Sequence, residues 1–140
     1  MNEFGQGAPP VSTLVAIRAA AHAEGDPPYE RVVWEFSGPV PLINVQYVTQ
    51  LLGGGSGLPV PITGNAILEV TMTPAQAHDD QGQATAPAQV NFNLPNLKQV
   101  VSGSDFEGVL SYGVGLDHKT EIRVITLAGA SRVVIDFLNP

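Results

Sequence analysis

Apolar and polar residues alternate with a period of two along much of this chain, and Gly- or Pro-containing stretches break the alternation at short intervals. Successive side chains of an extended strand point to opposite faces, so the pattern predicts short strands with one buried face. Tyr29–Phe36 is the clearest case, with Val32, Trp34 and Phe36 on one face and Arg31, Val33 and Glu35 on the other. Val11–Ile17 predicts a first strand with Val11, Thr13, Val15 and Ile17 on a common face. Leu42–Val48, Ala66–Thr73, Val90–Leu94 and Leu97–Ser102 follow as further strands. Asp105–Leu116 predicts one long strand: Phe106, Leu110, Tyr112, Val114 and Leu116 line one face, and Asp105, Glu107, Val109 and Ser111 the other. Ile122–Leu127 is apolar on both faces, which predicts a central strand. Ser131–Leu138 closes the series.

No apolar stripe with helical spacing runs beyond three turns. Ala19–Ala23 has helix propensity, but Gly25-Asp26-Pro27-Pro28 follows too soon for a stable helix. The expectation is an all-β fold of short strands and long loops. Gly53-Gly54-Gly55-Ser56-Gly57 predicts a loop, because no element interior tolerates such a run. Pro74–Gln89 predicts a long surface loop, and residues 1–10 a polar tail or expression remnant ahead of one domain over residues 11–140.

Arg31-Val32-Val33-Trp34-Glu35-Phe36 and Arg132-Val133-Val134-Ile135-Asp136-Phe137 share one pattern, with Arg followed four positions later by a carboxylate on the same strand face. Two readings are open: a pair of core strands built by the same rules, or a sandwich with pseudo-symmetric halves.

Composition narrows the picture. Hydrophobic residues make up 44 % and charged residues 14 %, a balance that excludes a disordered chain. The formal charge of −7 leaves no basic stripe for nucleic acid and disfavours anionic membrane surfaces. No stretch is apolar enough to span a bilayer, and Met1–Pro10 lacks the basic start and apolar run of a signal peptide. A cytoplasmic protein and a mature exported domain both fit, and zero Cys permits either compartment.

Catalytic motifs are missing. Ser56 has Gly54 two positions before it but Leu58 two after it, so the nucleophile-elbow pattern fails. The glycine run is not followed by Gly-Lys-Ser/Thr, and Gly113-Val114-Gly115 lacks a third dinucleotide-binding glycine. The latter reads as close strand packing or a bulge. His78-Asp79-Asp80 is dense in ligand atoms, yet consecutive residues of one loop cannot encircle a cation, so no metal and no cofactor is expected. Asp105 and Glu107 would stand about 7 Å apart on one strand face. That is compatible with glycoside hydrolysis, but also with outward residues pairing with Arg123 on a neighbour. Trp34 is expected in the core, where burial stabilises by about 1.5–3 kcal/mol.

Several segments resemble one known family. They are His22 with Tyr29–Phe36, Gly55-Ser56-Gly57-Leu58-Pro59-Val60-Pro61, Gly64-Asn65-Ala66 and Ser104-Asp105-Phe106-Glu107-Gly108. Gly113-Val114-Gly115-Leu116, Arg123–Leu127 and Ser131–Asp136 complete the set. Their order and spacing resemble AMIN-like domains of bacterial secreted proteins and lipoproteins, over about Val11 to Leu138. The resemblance implies a two-sheet β-sandwich outside the cytoplasm, related to the AMIN domains that place cell-wall amidases. It further implies a non-catalytic module that binds peptidoglycan, another cell-wall glycan or an envelope protein. The chain has no lipobox Cys; the expectation is that its leader is absent, and a lipid anchor on a precursor stays open.

Three function classes follow. The first is a non-enzymatic envelope module, with His22, Asp105, Glu107 and Arg123 as candidate binding residues. The second is a hydrolase using Asp105 and Glu107, which requires both in one cleft with a desolvated carboxyl. The third is a structural domain that pairs through an exposed strand edge.

Overall fold

The computed structural model describes residues 11–139, and the expected tail of residues 1–10 lies outside them. Ten strands form two five-stranded sheets, with no helix among the described residues. They are β1 (Ser12–His22), β2 (Tyr29–Ser37), β3 (Leu42–Val48), β4 (Ala66–Thr73), β5 (Ala75–Gln76), β6 (Gln89–Asn91), β7 (Leu97–Phe106), β8 (Val109–Leu116), β9 (Ile122–Leu127) and β10 (Arg132–Leu138). The first sheet has the order β5-β1-β2-β10-β9 and the second β3-β4-β8-β7-β6. The expected all-β sandwich is the fold observed.

Period-two patterning explains the core. Val32, Trp34 and Phe36 of β2 and Val133, Ile135 and Phe137 of β10 face inward. They pack against Leu68, Val70 and Met72 of β4 and Leu110, Tyr112, Val114 and Leu116 of β8. Trp34 is fully buried beside Tyr112, ring centroids 6.3 Å apart and tilted by 54°. One buried charge joins the sheets. The Glu30 carboxylate accepts the backbone N–H groups of Asn96 (3.0 Å) and Leu97 (2.6 Å) where β7 begins.

The two similar segments, Arg31–Phe36 and Arg132–Phe137, lie side by side. β2 and β10 are antiparallel neighbours with Arg31 opposite Asp136, Val33 opposite Val134 and Glu35 opposite Arg132. The pseudo-symmetry is therefore a local two-fold between neighbouring strands, and the segments do not belong to opposite halves of the sandwich. β1 lies on the other side of β2 and is also antiparallel to it, so β1 and β10 run in the same direction.

Five expectations need correction. A register shift between Leu14 and Ala16 changes the phase of β1, so Ser12, Leu14 and Ile17 are buried while Val11 and Val15 are exposed. The first strand does not end at Ile17: as expected no helix forms over Ala19–Ala23, and Ala19–His22 instead continues β1 through cross-strand pairing with β2. Pro74–Gln89 is not simply a surface loop: it contains β5 and a His78–Ala84 bridge, and buries Ala75, Ala77 and Ala86. Asp105–Leu116 is a hairpin. Glu107 (φ 53°) and Gly108 (φ 79°) both have positive φ, the signature of a two-residue turn whose twist matches the strands. Ile122–Leu127 is an edge strand, paired with β10 alone. Apolar character on both faces does not require a central place.

The expected role of Gly113-Val114-Gly115 as close packing fits the structure. Residues 49–65 fold over the outer face of β8, with Leu51 buried and the Thr63 N–H donating to Gln99 Oε1 at 2.8 Å. A Cβ on Gly113 would stand 2.7 Å from Leu51 Cδ2, and one on Gly115 would overlap the Thr63 carbonyl oxygen.

Candidate functional site: the arginine face of the first sheet

The outward side of the first sheet follows from register. Arg18, Ala20 and His22 of β1 stand opposite Val33, Arg31 and Tyr29 of β2, and these lie beside Val134, Asp136 and Leu138 of β10. Arg123 of β9 is opposite Asp136. Cross-strand partners share a face, so Arg18, Arg31, Arg123 and Arg132 all lie on this side. These are the chain's four arginines, among six cationic residues in total.

Two carboxylates organise them. Asp136 is completely buried although it is on the outer face, because two guanidinium groups cover it. Arg31 grips both its oxygens, Nε to Oδ1 at 2.6 Å and Nη2 to Oδ2 at 2.9 Å. Arg123 donates Nε and Nη2 to Oδ2 at 3.0 and 2.7 Å. Burial would raise the Asp136 pKa, but the hydrogen bonds and charges of Arg31 and Arg123 hold it below the usual aspartate value. The second carboxylate, Glu35, accepts Arg18 Nη1 at 2.7 Å and stands 3.8 Å from Arg132 Nη2. The hydrogen bond from Arg18 lowers its pKa.

Tyr29 joins this ion cluster to the β1–β2 turn. His22 stacks on its ring with centroids 4.7 Å apart, and the guanidinium carbons of Arg31 and Arg123 lie 5.2 and 5.4 Å from the ring centroid. His22 Nδ1 is 2.9 Å from Glu24 Oε2, an exposed carboxylate whose pKa that hydrogen bond lowers. Gly25 leaves room for the ring, since a Cβ there would stand 2.8 Å from Tyr29 Cδ1.

Two of the four candidate residues, His22 and Arg123, thus meet on Tyr29. The other two do not join them. Asp105 Oδ2 accepts the Ala77 N–H at 3.1 Å and lies 2.7 Å from His78 Nδ1. Its charge, after burial itself, pushes the neighbouring Tyr112 phenol upward. Glu107 is exposed in the hairpin turn, so Asp105 and Glu107 do not share a strand face. Neither pairs with Arg123, whose partner is Asp136. The expected carboxylate pair dissolves because β7 ends at Phe106 and Glu107 belongs to the turn, where the strand's alternation of faces no longer holds.

Tyr29, Arg31 and Asp136 are the members that pattern reading missed as a site. The available signal was the Arg-to-carboxylate spacing repeated in the two similar segments, which antiparallel pairing turns into a cross-strand ion cluster.

The chain matches the AMIN-like domain family over residues 12–139. It belongs to that family. AMIN-like domains are generally non-catalytic and occur in extracytoplasmic and envelope proteins. Neither the curated proteins nor the solved structures give a match.

The chemistry of the arginine face suits recognition. A general acid needs a carboxyl raised toward neutrality, whereas Asp136 is held ionised. A guanidinium has five N–H donors, and Asp136 takes two from each arginine, which leaves three on each (5 − 2) for another acceptor. Arg31 and Arg123 keep about a third and a half of their side chains exposed. Among the described residues, no cluster of three or more His, Asp or Glu is placed to hold a metal.

Proposed function

We propose that this AMIN-like domain is a non-catalytic module of the cell envelope that holds cell-wall glycan on the outer face of its first sheet. The observation that carries the reading is the Asp136–Arg31–Arg123 cluster seated on Tyr29. Its forked donors are fixed by a buried carboxylate, so little side-chain freedom is lost when they meet the hydroxyl, amide and carboxylate oxygens of a glycan and its peptide. Glu35 and Asp136 offset much of the face's positive charge, which favours oxygen-rich, weakly charged ligands over nucleic acid. Family membership supports an extracytoplasmic setting and a role without catalysis.

Sedimentation with purified, insoluble peptidoglycan tests this reading. Wild-type protein is expected in the pellet, Arg31→Ala and Arg123→Ala with at least tenfold lower retention, and Asp105→Asn unchanged. Wild-type retention no greater than that of an unrelated acidic protein overturns it.

A further inference from the structure

The first sheet ends in a strand with an open edge. Leu138 N–H donates to the Glu121 carbonyl, which makes Glu121 and Leu138 a hydrogen-bonded pair. Bonding alternates along an antiparallel ladder, so Arg123, Ile125 and Leu127 direct their N–H and C=O groups toward β10. Ile122, Val124 and Thr126 direct theirs away from the sheet, and no partner strand lies there among the described residues.

Natural sheets blunt such edges with lysine, proline, bulges or very short strands. The other edges of this sandwich carry these devices. β5 has two residues and β6 three, and β1, which runs on past β5, is bent by the bulge it makes against β2 at Leu14/Ala16. β3, the open edge of the second sheet, starts directly after Pro41 and carries Asn44, a residue depleted in strands. β9 has none of them. It reads Ile-Arg-Val-Ile-Thr-Leu, strong strand-forming residues, with Val124 and Leu127 about 40 % exposed on opposite faces.

We propose that β9 pairs antiparallel with β9 of a second copy of this chain, joining two five-stranded sheets into one continuous sheet. The sequence is self-complementary in one two-fold register that uses all three outward residues. Val124 stands opposite its own symmetry mate, and Ile122 opposite Thr126 of the partner copy, as hydrogen-bonded pairs. Arg123 then stands opposite Ile125 of the partner copy. The pairing opposes no like charges, and the single charge in β9 is already neutralised by Asp136. Shifting one strand by one residue would put outward-bonding against inward-bonding positions. The two-fold register centred on Arg123 would bring Arg123 against its own mate. An isologous two-fold contact also closes, giving a dimer and not a fibre. It would set two arginine faces on one surface, so that a polymeric ligand could be held at two points.

Sedimentation equilibrium of the full chain over a wide concentration range tests the pairing. Wild type is expected to dimerise with increasing concentration. Val124→Pro removes one outward N–H and no bond to β10, so it is expected to weaken association at least tenfold while keeping the wild-type β-sheet circular dichroism. Val124→Lys, which needs no change of backbone, is expected to do the same and decides the matter if the proline variant unfolds. Wild type that stays monomeric at the highest concentration overturns the proposal. So does a dimer that survives Val124→Lys.

Discussion

Arg31 and Asp136, 105 residues apart in sequence, face each other across β2 and β10 in a two-pronged ion pair at 2.6 and 2.9 Å. Asp136 is fully buried and Arg31 about one-third exposed. Asp136→Asn keeps the shape but leaves two guanidinium groups with a neutral partner. We expect a loss of about 2 kcal/mol at neutral pH by urea unfolding, discounted for the solvent that still reaches both arginines.

The same pair sets an acid limb. The pKa of Asp136 is lower folded than its ordinary 3.8, so the unfolded chain takes up this proton at a higher pH than the native one does. The stabilisation is complete above the ordinary aspartate range and is lost as pH falls through the depressed native value. The stability gap between wild type and Asp136→Asn should therefore be constant near neutrality and shrink below about pH 4. A gap that widens on acidification would contradict this assignment.

Glu107 occupies a left-handed backbone conformation (φ 53°) followed by Gly108 (φ 79°). Asn tolerates that conformation better than Glu, and Asn-Gly is the favoured pair for this turn. Glu107→Asn should stabilise by about 0.5–1 kcal/mol in chemical denaturation, and leave glycan retention unchanged.

Gly115 lies beneath the backbone of Thr63, with no room for a methyl group. Gly115→Ala should cost about 2–3 kcal/mol, and amide exchange should accelerate first in residues 49–65 as that segment lifts from β8.

Glu30, about 5 % exposed, accepts two backbone N–H groups from the turn that opens β7. Glu30→Ala leaves both donors buried without an acceptor, and should lower stability by about 2–3 kcal/mol in thermal unfolding. Glu30→Gln, which keeps one oxygen, should recover part of that loss.

Much of the sandwich was legible in the alternation of the chain. β3 and β4 fall where Leu42–Val48 and Ala66–Thr73 alternate, and the inward set of β2 is Val32, Trp34 and Phe36 as the pattern requires. Failures arose where one residue shifts the phase. The bulge at Leu14/Ala16 exchanges the faces of β1, and the turn at Glu107-Gly108 divides what alternation alone presents as one strand. Lateral order is not encoded in a strand's own pattern, which is why β9 read as central. The arginine cluster was half visible. His22 and Arg123 stand out singly, and Asp136 stands out only as the carboxylate of the repeated Arg-to-carboxylate spacing; pairing is what brings the three together.

The parallel placement of β1 and β10 on either side of β2 has a mechanical consequence. Thr13 is opposite Ser37 at one end of β2 and Leu138 opposite Tyr29 at the other, so tension between Ser12 and Leu138 runs along the strands. Both ladders are then loaded in shear, and their hydrogen bonds must fail together, whereas a hairpin pulled open from one end loses them one at a time. Resistance to stretching is governed by the height of the unfolding barrier and not by equilibrium stability. A domain strung this way between two attachment points would transmit force with little extension until it yields in a single step.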